Sequence, residues 1–142
     1  MFHFRFWRVL PPMTLALLIA AILASPIGVW ATGHGKNAGE IQIGACGQAL
    51  CGVIADADRL HSHPDQRDAH NRDPALRDRP IRGLEVLEDF AGGPPVWTGT
   101  GYDPRWGLSA RNVKLRLTTP DVMTIRGCLA IFCVTQTLTR VR

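Results

Sequence analysis

An all-β domain of about eight short antiparallel strands, closed as a barrel or stacked as a sandwich, is what three features of this sequence predict. Apolar and polar residues alternate in short runs, most clearly from Arg111 to Leu117, where Val113, Leu115 and Leu117 point one way and Asn112, Lys114 and Arg116 the other. Turn formers recur at close spacing between the runs, at residues 91 to 95, at Asp103-Pro104 and at Thr119-Pro120-Asp121. The four cysteines fall into two Cys-x4-Cys pairs, Cys46 with Cys51 and Cys128 with Cys133, each around a turn.

The first charges of the chain are both basic, Arg5 and Arg8, and an uncharged run from Val9 to Ala31 follows, the pattern of a secretory signal. Its apolar centre, Thr14 to Ala24, is shorter than the roughly 20 residues a transmembrane helix needs. An uncleaved anchor over Val9 to Ala31 is the alternative. Cleavage is expected after Ala24 or after Ala31, and the small residues at the second site favour it on signal grammar alone. Removal of residues 1–24 leaves 118 residues, one domain with one core, carrying 14 basic and 12 acidic residues. That balance gives no argument for a nucleic-acid partner, which needs a concentrated basic patch.

Taken in order, Gly28-Val29-Trp30 reads as a first short strand with residues 33–37 as its turn. Ile41, Ile43 and Ala45 then alternate with Glu40, Gln42 and Cys46, and a connection from Gly47 to Leu50 leads into a strand from Cys51 to Ala55. Alternation stops from Asp56 to Arg82, a connection long enough to be a lid or an insert. Within it Asp73 is a helix N-cap and Pro74 a first helical residue, so a short helix from Asp73 to Arg77 is expected, set over one barrel end. Strands resume with Leu84 and Val86 alternating against Glu85 and Leu87, then Val96 to Tyr102, Arg111 to Leu117, Val122 to Gly127, and Cys133 to Val141.

Candidate chemistry is sparse. The cysteine pairs project from polar faces of an exported domain, so two local disulfides are the simplest of three connectivities; zinc or redox roles favour shorter spacings. His61, His63 and His70 share a loop with Asp65 and Asp68, and are read as solvated rather than as metal ligands. No nucleophile, metallohydrolase or phosphate-loop motif is present, so neither an enzyme nor a cofactor is expected. Arg77 and Arg82, with Arg72 and Arg79, have two readings: a salt-bridged loop, or guanidiniums gripping an anionic head group at a barrel mouth. Leu129, Ile131 and Phe132 form an apolar tip between Cys128 and Cys133, either tucked into the core or presented to a membrane surface or an envelope protein.

Several of these pieces together resemble the exported bacterial domain-of-unknown-function 2147 family. They are Gly28-Val29-Trp30, Ala45-Cys46-Gly47 with Leu50-Cys51-Gly52, Asp73-Pro74-Ala75-Leu76-Arg77 with Arg79-Pro80 and Gly83, Tyr102-Asp103-Pro104 with Gly107, Arg126-Gly127-Cys128, and Thr135-Gln136-Thr137 with Thr139-Arg140-Val141. The resemblance implies a lipocalin-like barrel behind a signal peptide and no defined activity. It makes Gly28 to Trp30 the first strand, which favours cleavage after Ala24. Leu138 stands where the family tends to have Trp, and Leu108 to Ala110 lacks a frequent aromatic, which weakens the case for an aromatic-lined pocket.

The expectation is therefore a periplasmic or secreted lipocalin-like barrel over residues 25–142 that binds a small apolar or amphipathic molecule without catalysis. Trp30, Trp97, Tyr102, Arg77 and Arg82 are its candidate ligand residues, with Trp97 and Tyr102 on opposite faces of one strand. The competing expectation is an envelope interaction module whose barrel is filled.

Overall fold

The computed structural model describes residues 25–142; the signal peptide expected at residues 1–24 lies outside them. Eight strands follow in order: β1 (Gly28–Thr32), β2 (Gly39–Cys46), β3 (Ala49–Ala57), β4 (Glu85–Gly93), β5 (Val96–Asp103), β6 (Leu108–Thr119), β7 (Val122–Leu129) and β8 (Phe132–Arg140). Each pairs antiparallel with the next, and β1 pairs with β8, Trp30 opposite Arg140, so the sheet closes into a barrel. Closure removes both sheet edges, which is why so short a strand as β1 is essential to the fold.

Because each strand reverses the one before, the two barrel ends differ. The lower end carries the β2–β3, β4–β5 and β6–β7 turns together with residues 25–27 and 141–142. At the upper end lie the β1–β2 loop, the long connection between β3 and β4, the β5–β6 turn and the β7–β8 tip. The lower half is packed solid by Trp30, Ile43, Phe90, Leu115, Met123 and Leu138, each no more than 1% exposed, with Trp97 beside them. Arg140 seals this plug: its guanidinium lies 4.3 Å from the Trp30 ring centroid and donates to the carbonyls of Ser25, Ile27 and Pro120. Trp30 Nε1 donates to Pro26 O at 2.8 Å.

Simple alternation fails at the bulges. Val53 opposes Glu85 while Gly52 opposes Leu87, so Val86 is an extra residue and Val86 and Leu87 are both buried, where alternation had set them on opposite faces. A second bulge near Asp89, at φ 54°, turns Phe90 into the plug; Gly99 leaves it room, since a Cβ there would stand 2.6 Å from the Phe90 ring. The β2–β3 turn is shorter than expected, Gly47 and Gln48 alone, with Gly47 at φ 61°.

The long connection is not featureless. β3 runs on to Ala57, and helix α1 (Asp58–Ser62) follows, its Leu60 2% exposed and part of the core. Arg67 bridges Pro80, with backbone hydrogen bonds from Asp68 N to Arg79 O and from Ile81 N to Gln66 O. The expected Asp73 cap is present, its carboxylate accepting from Ala75 N at 2.9 Å, but the helix is a single 3-10 turn, Pro74–Leu76. Asp73, Leu76 and Arg79 border a cleft with Glu85, Glu88 and Thr100 of β4 and β5 and with Gly107, Leu108 and Leu129 from the upper end.

Candidate ligand cavity

Above the plug the barrel interior holds a cavity of about 570 Å³. Its walls are aliphatic, built from inward positions such as Ile41, Ile54, Val86, Val113 and Ile125. Small residues on three consecutive strands create the space: Gly101 on β5, its register partner Ala110 on β6, and Gly127 on β7. A Cβ at Gly101 or Gly127 would already stand 3.2 or 3.3 Å from the Val113 side chain, so a larger residue would fill the chamber. Gln136 on β8, opposite Ile125, sets a polar amide among these apolar walls. The charged groups of the lining gather at the upper end: Lys36, Arg59, Arg67 and Arg105 from the loops, and Glu40, Asp56 and Asp103 from the ends of β2, β3 and β5. Phe132 and Val134 line the cavity yet are 75% and 72% exposed, so the chamber opens to solvent beside β8.

Two polar clusters hold the connection in place. Asp68, fully buried, accepts from Tyr102 Oη at 2.6 Å, Asn71 Nδ2 at 2.8 Å and Arg79 Nη2 at 2.9 Å. Burial raises the Asp68 pKa, but the bonds from Tyr102, Asn71 and Arg79 outweigh it and keep the group below the ordinary carboxylate value. Burial and the bond to Asp68 push the Tyr102 hydroxyl up to about 12. At the mouth, Asp56 meets His61 Nε2 at 2.8 Å and accepts from Arg82 Nη2 at 3.1 Å. The hydrogen bond with His61 lowers Asp56 and raises His61.

These positions give the candidate residues distinct places. Trp30 and Trp97 are inward-facing but sit in the plug below the cavity, because indole rings fill the narrow packed end. Tyr102 alternates with inward Gly101 and therefore turns outward, reaching the cavity rim while its hydroxyl tethers Asp68 and Asn71. Arg77 Nε donates to Asn71 O, and Arg82 donates to Ala55 O and Asp56, so both guanidiniums are occupied in anchoring the connection. Cys46–Cys51 and Cys128–Cys133 form two local disulfides. Leu129, Ile131 and Phe132 are exposed at the upper end. Among the described residues no three His, Cys, Asp or Glu side chains gather where they could hold a metal ion.

Sequence reasoning missed the residues that make the chamber, Gly101, Ala110, Gly127 and Gln136. Their signal was present: small residues at inward positions of neighbouring strands, and one amide on an otherwise apolar inward face.

Among solved structures, the chain is similar to protein HP1028 from the human pathogen Helicobacter pylori, described as belonging to the lipocalin family. The match has a TM-score of 0.71 and 15% identity and covers 84% of each chain. At that identity the likeness establishes the fold, a lipocalin-like barrel. No curated protein matches the chain. The family model described as "uncharacterized protein conserved in bacteria (DUF2147)" matches residues 28–140, from the first strand of the barrel to the last. The chain belongs to the DUF2147 family.

Proposed function

We propose that this protein is a non-catalytic binder of one small apolar or amphipathic molecule, working in the cell envelope or outside the cell. The observation that carries this is the open cavity of about 570 Å³ with aliphatic walls. Ligand pockets typically occupy about 300 to 1,000 Å³ with mostly apolar linings and a few placed polar groups. A barrel that served only as an interaction module would have no reason to leave its upper half unfilled. The apolar part of the ligand rests on Ile41, Ile54, Val113 and Ile125, and a hydrogen-bonding group meets the Gln136 amide. Trp30 and Trp97 support this by forming a rigid floor, Arg77, Arg82 and Tyr102 by holding the connection at the rim. The two disulfides support an oxidising compartment.

Native mass spectrometry of the protein recovered after export tests the reading. The expected spectrum shows one apolar molecule per chain, displaced by the fluorescent probe 1-anilinonaphthalene-8-sulfonate. A bare mass together with no uptake of that probe refutes it.

A further inference from the structure

We propose that the upper rim of the β6–β8 wall docks on an anionic lipid bilayer surface. The β7–β8 tip enters the headgroup layer, and the basic outer face of β6 and β7 lies behind it.

Exposure is concentrated there. Of the seven exposed large apolar residues among those described, five lie at the upper end: Leu129, Ile131, Phe132 and Val134 on or beside the tip, and Trp106 on the neighbouring β5–β6 turn. Ile131 is 87% exposed. Leu129, Phe132 and Val134 share the inward side of β7 and β8 with Ile125, Gly127 and Gln136 and line the cavity mouth, while Ile131, in the turn that Ala130 makes at φ 53° beyond the Cys128–Cys133 disulfide, lies outside that lining. An exposed apolar rim at the mouth of a chamber, with Ile131 projecting beyond it, marks a contact site.

Charge on the same wall is one-sided. β6, β7 and β8 contain no acidic residue, while Arg111, Lys114, Arg116 and Arg126 are all exposed. Lys114 and Arg126 are direct cross-strand partners, and like charges so placed disfavour the sheet. Arg126 donates to the neutral Thr135 hydroxyl, and neither residue has an acidic partner within salt-bridge distance among those described. An anionic surface relieves that repulsion.

The layering selects a bilayer over an acidic protein. From Arg126 to Leu129 is three residues of strand, about 10 Å at 3.3 Å per residue. Apolar groups that sink about 5 to 10 Å into the boundary of headgroups and acyl chains therefore bring Arg126 and Lys114 level with the phosphates. Phe132 and Val134 belong both to the exposed rim and to the cavity lining, so the docked surface opens into the chamber.

Co-flotation with vesicles tests this on residues 25–142 with both disulfides formed, since those residues close the barrel and its core by themselves. The wild type is expected to float with phosphatidylglycerol-containing vesicles and at least tenfold less with pure phosphatidylcholine. Ile131→Asp with Phe132→Ser reduces binding at least tenfold. Lys114→Ser with Arg126→Ser reduces it about fivefold for each charge removed. Arg142→Ser, a loss of one charge at the opposite end of the barrel, changes it less than twofold. Failure of the wild type to float, an equal loss per charge at the wall and at Arg142, or binding unaffected by Ile131→Asp overturns the proposal. So does capture by a soluble acidic protein with vesicles ignored.

Discussion

Truncation of two neighbouring inward residues on β7 should separate the plug from the cavity. Met123 is fully buried in the plug, whereas Ile125, two residues further on, is half-buried and faces the empty chamber. Met123→Ala removes packed atoms and leaves a new void, a change that costs about 3 kcal/mol in cores of this kind. Ile125→Ala creates no new void, because the space beside it is already open, so only its own burial is lost, about 1 kcal/mol. Urea unfolding with an unchanged slope measures both differences, and thermal melts should show falls of about 12 °C and about 4 °C. Probe binding should show the reverse order, weakened by Ile125→Ala and unchanged by Met123→Ala. Equal stability losses would refute the reasoning, because they would mean that the walls close on one another in solution and leave no chamber.

Tyr102 is the one tyrosine of the chain, so an absorbance titration reads it directly and should give a midpoint near 12 in the folded protein. Because this pKa is raised, its stabilisation is complete below pH 10 and falls as pH rises from 10 to 12, by about 2 kcal/mol, a loss that Tyr102→Phe should abolish. Asp68 acts in the opposite sense: its pKa is lowered, so its contribution is complete above the ordinary carboxylate value of about 4 and is lost as pH falls through the lower folded value. Mass spectrometry of the exported protein should find Ser25 at the N-terminus, since cleavage after Ala31 would remove four of the five residues of β1 and with them Trp30; a start at Thr32 counts against this.

Much of the barrel was legible because strand alternation and turn chemistry are local. The run Val113, Leu115, Leu117 declares its inward face, and Cys46 with Cys51 declares its hairpin, without reference to any distant residue. The bulges at Val86 and Asp89 were not legible, since an extra residue is visible only against the register of the opposing strand. Helix α1 escaped notice because one buried residue, Leu60, holds it, and a single turn has no periodicity to read. The candidate site was legible only in part: aromatic and charged residues drew attention, while the cavity is made by residues too small to fill it.

Composition also concealed the distribution of charge. The small net excess of basic residues gave no reason to expect a cationic surface, yet folding gathers Arg111, Lys114, Arg116 and Arg126 on one acid-free wall. By itself the sequence indicated about eight antiparallel strands, the inward faces of those without bulges, local disulfides as the simplest pairing and the capped turn at Asp73, all of which depend on residues close together along the chain. Only the tertiary structure decided that Trp30 and Trp97 are floor rather than wall, that Tyr102 tethers the connection from outside, and that Gly101, Ala110 and Gly127 align to leave a chamber. Those outcomes depend on which residues the closed barrel sets at the same height, and that is fixed by registers between strands that no single strand contains.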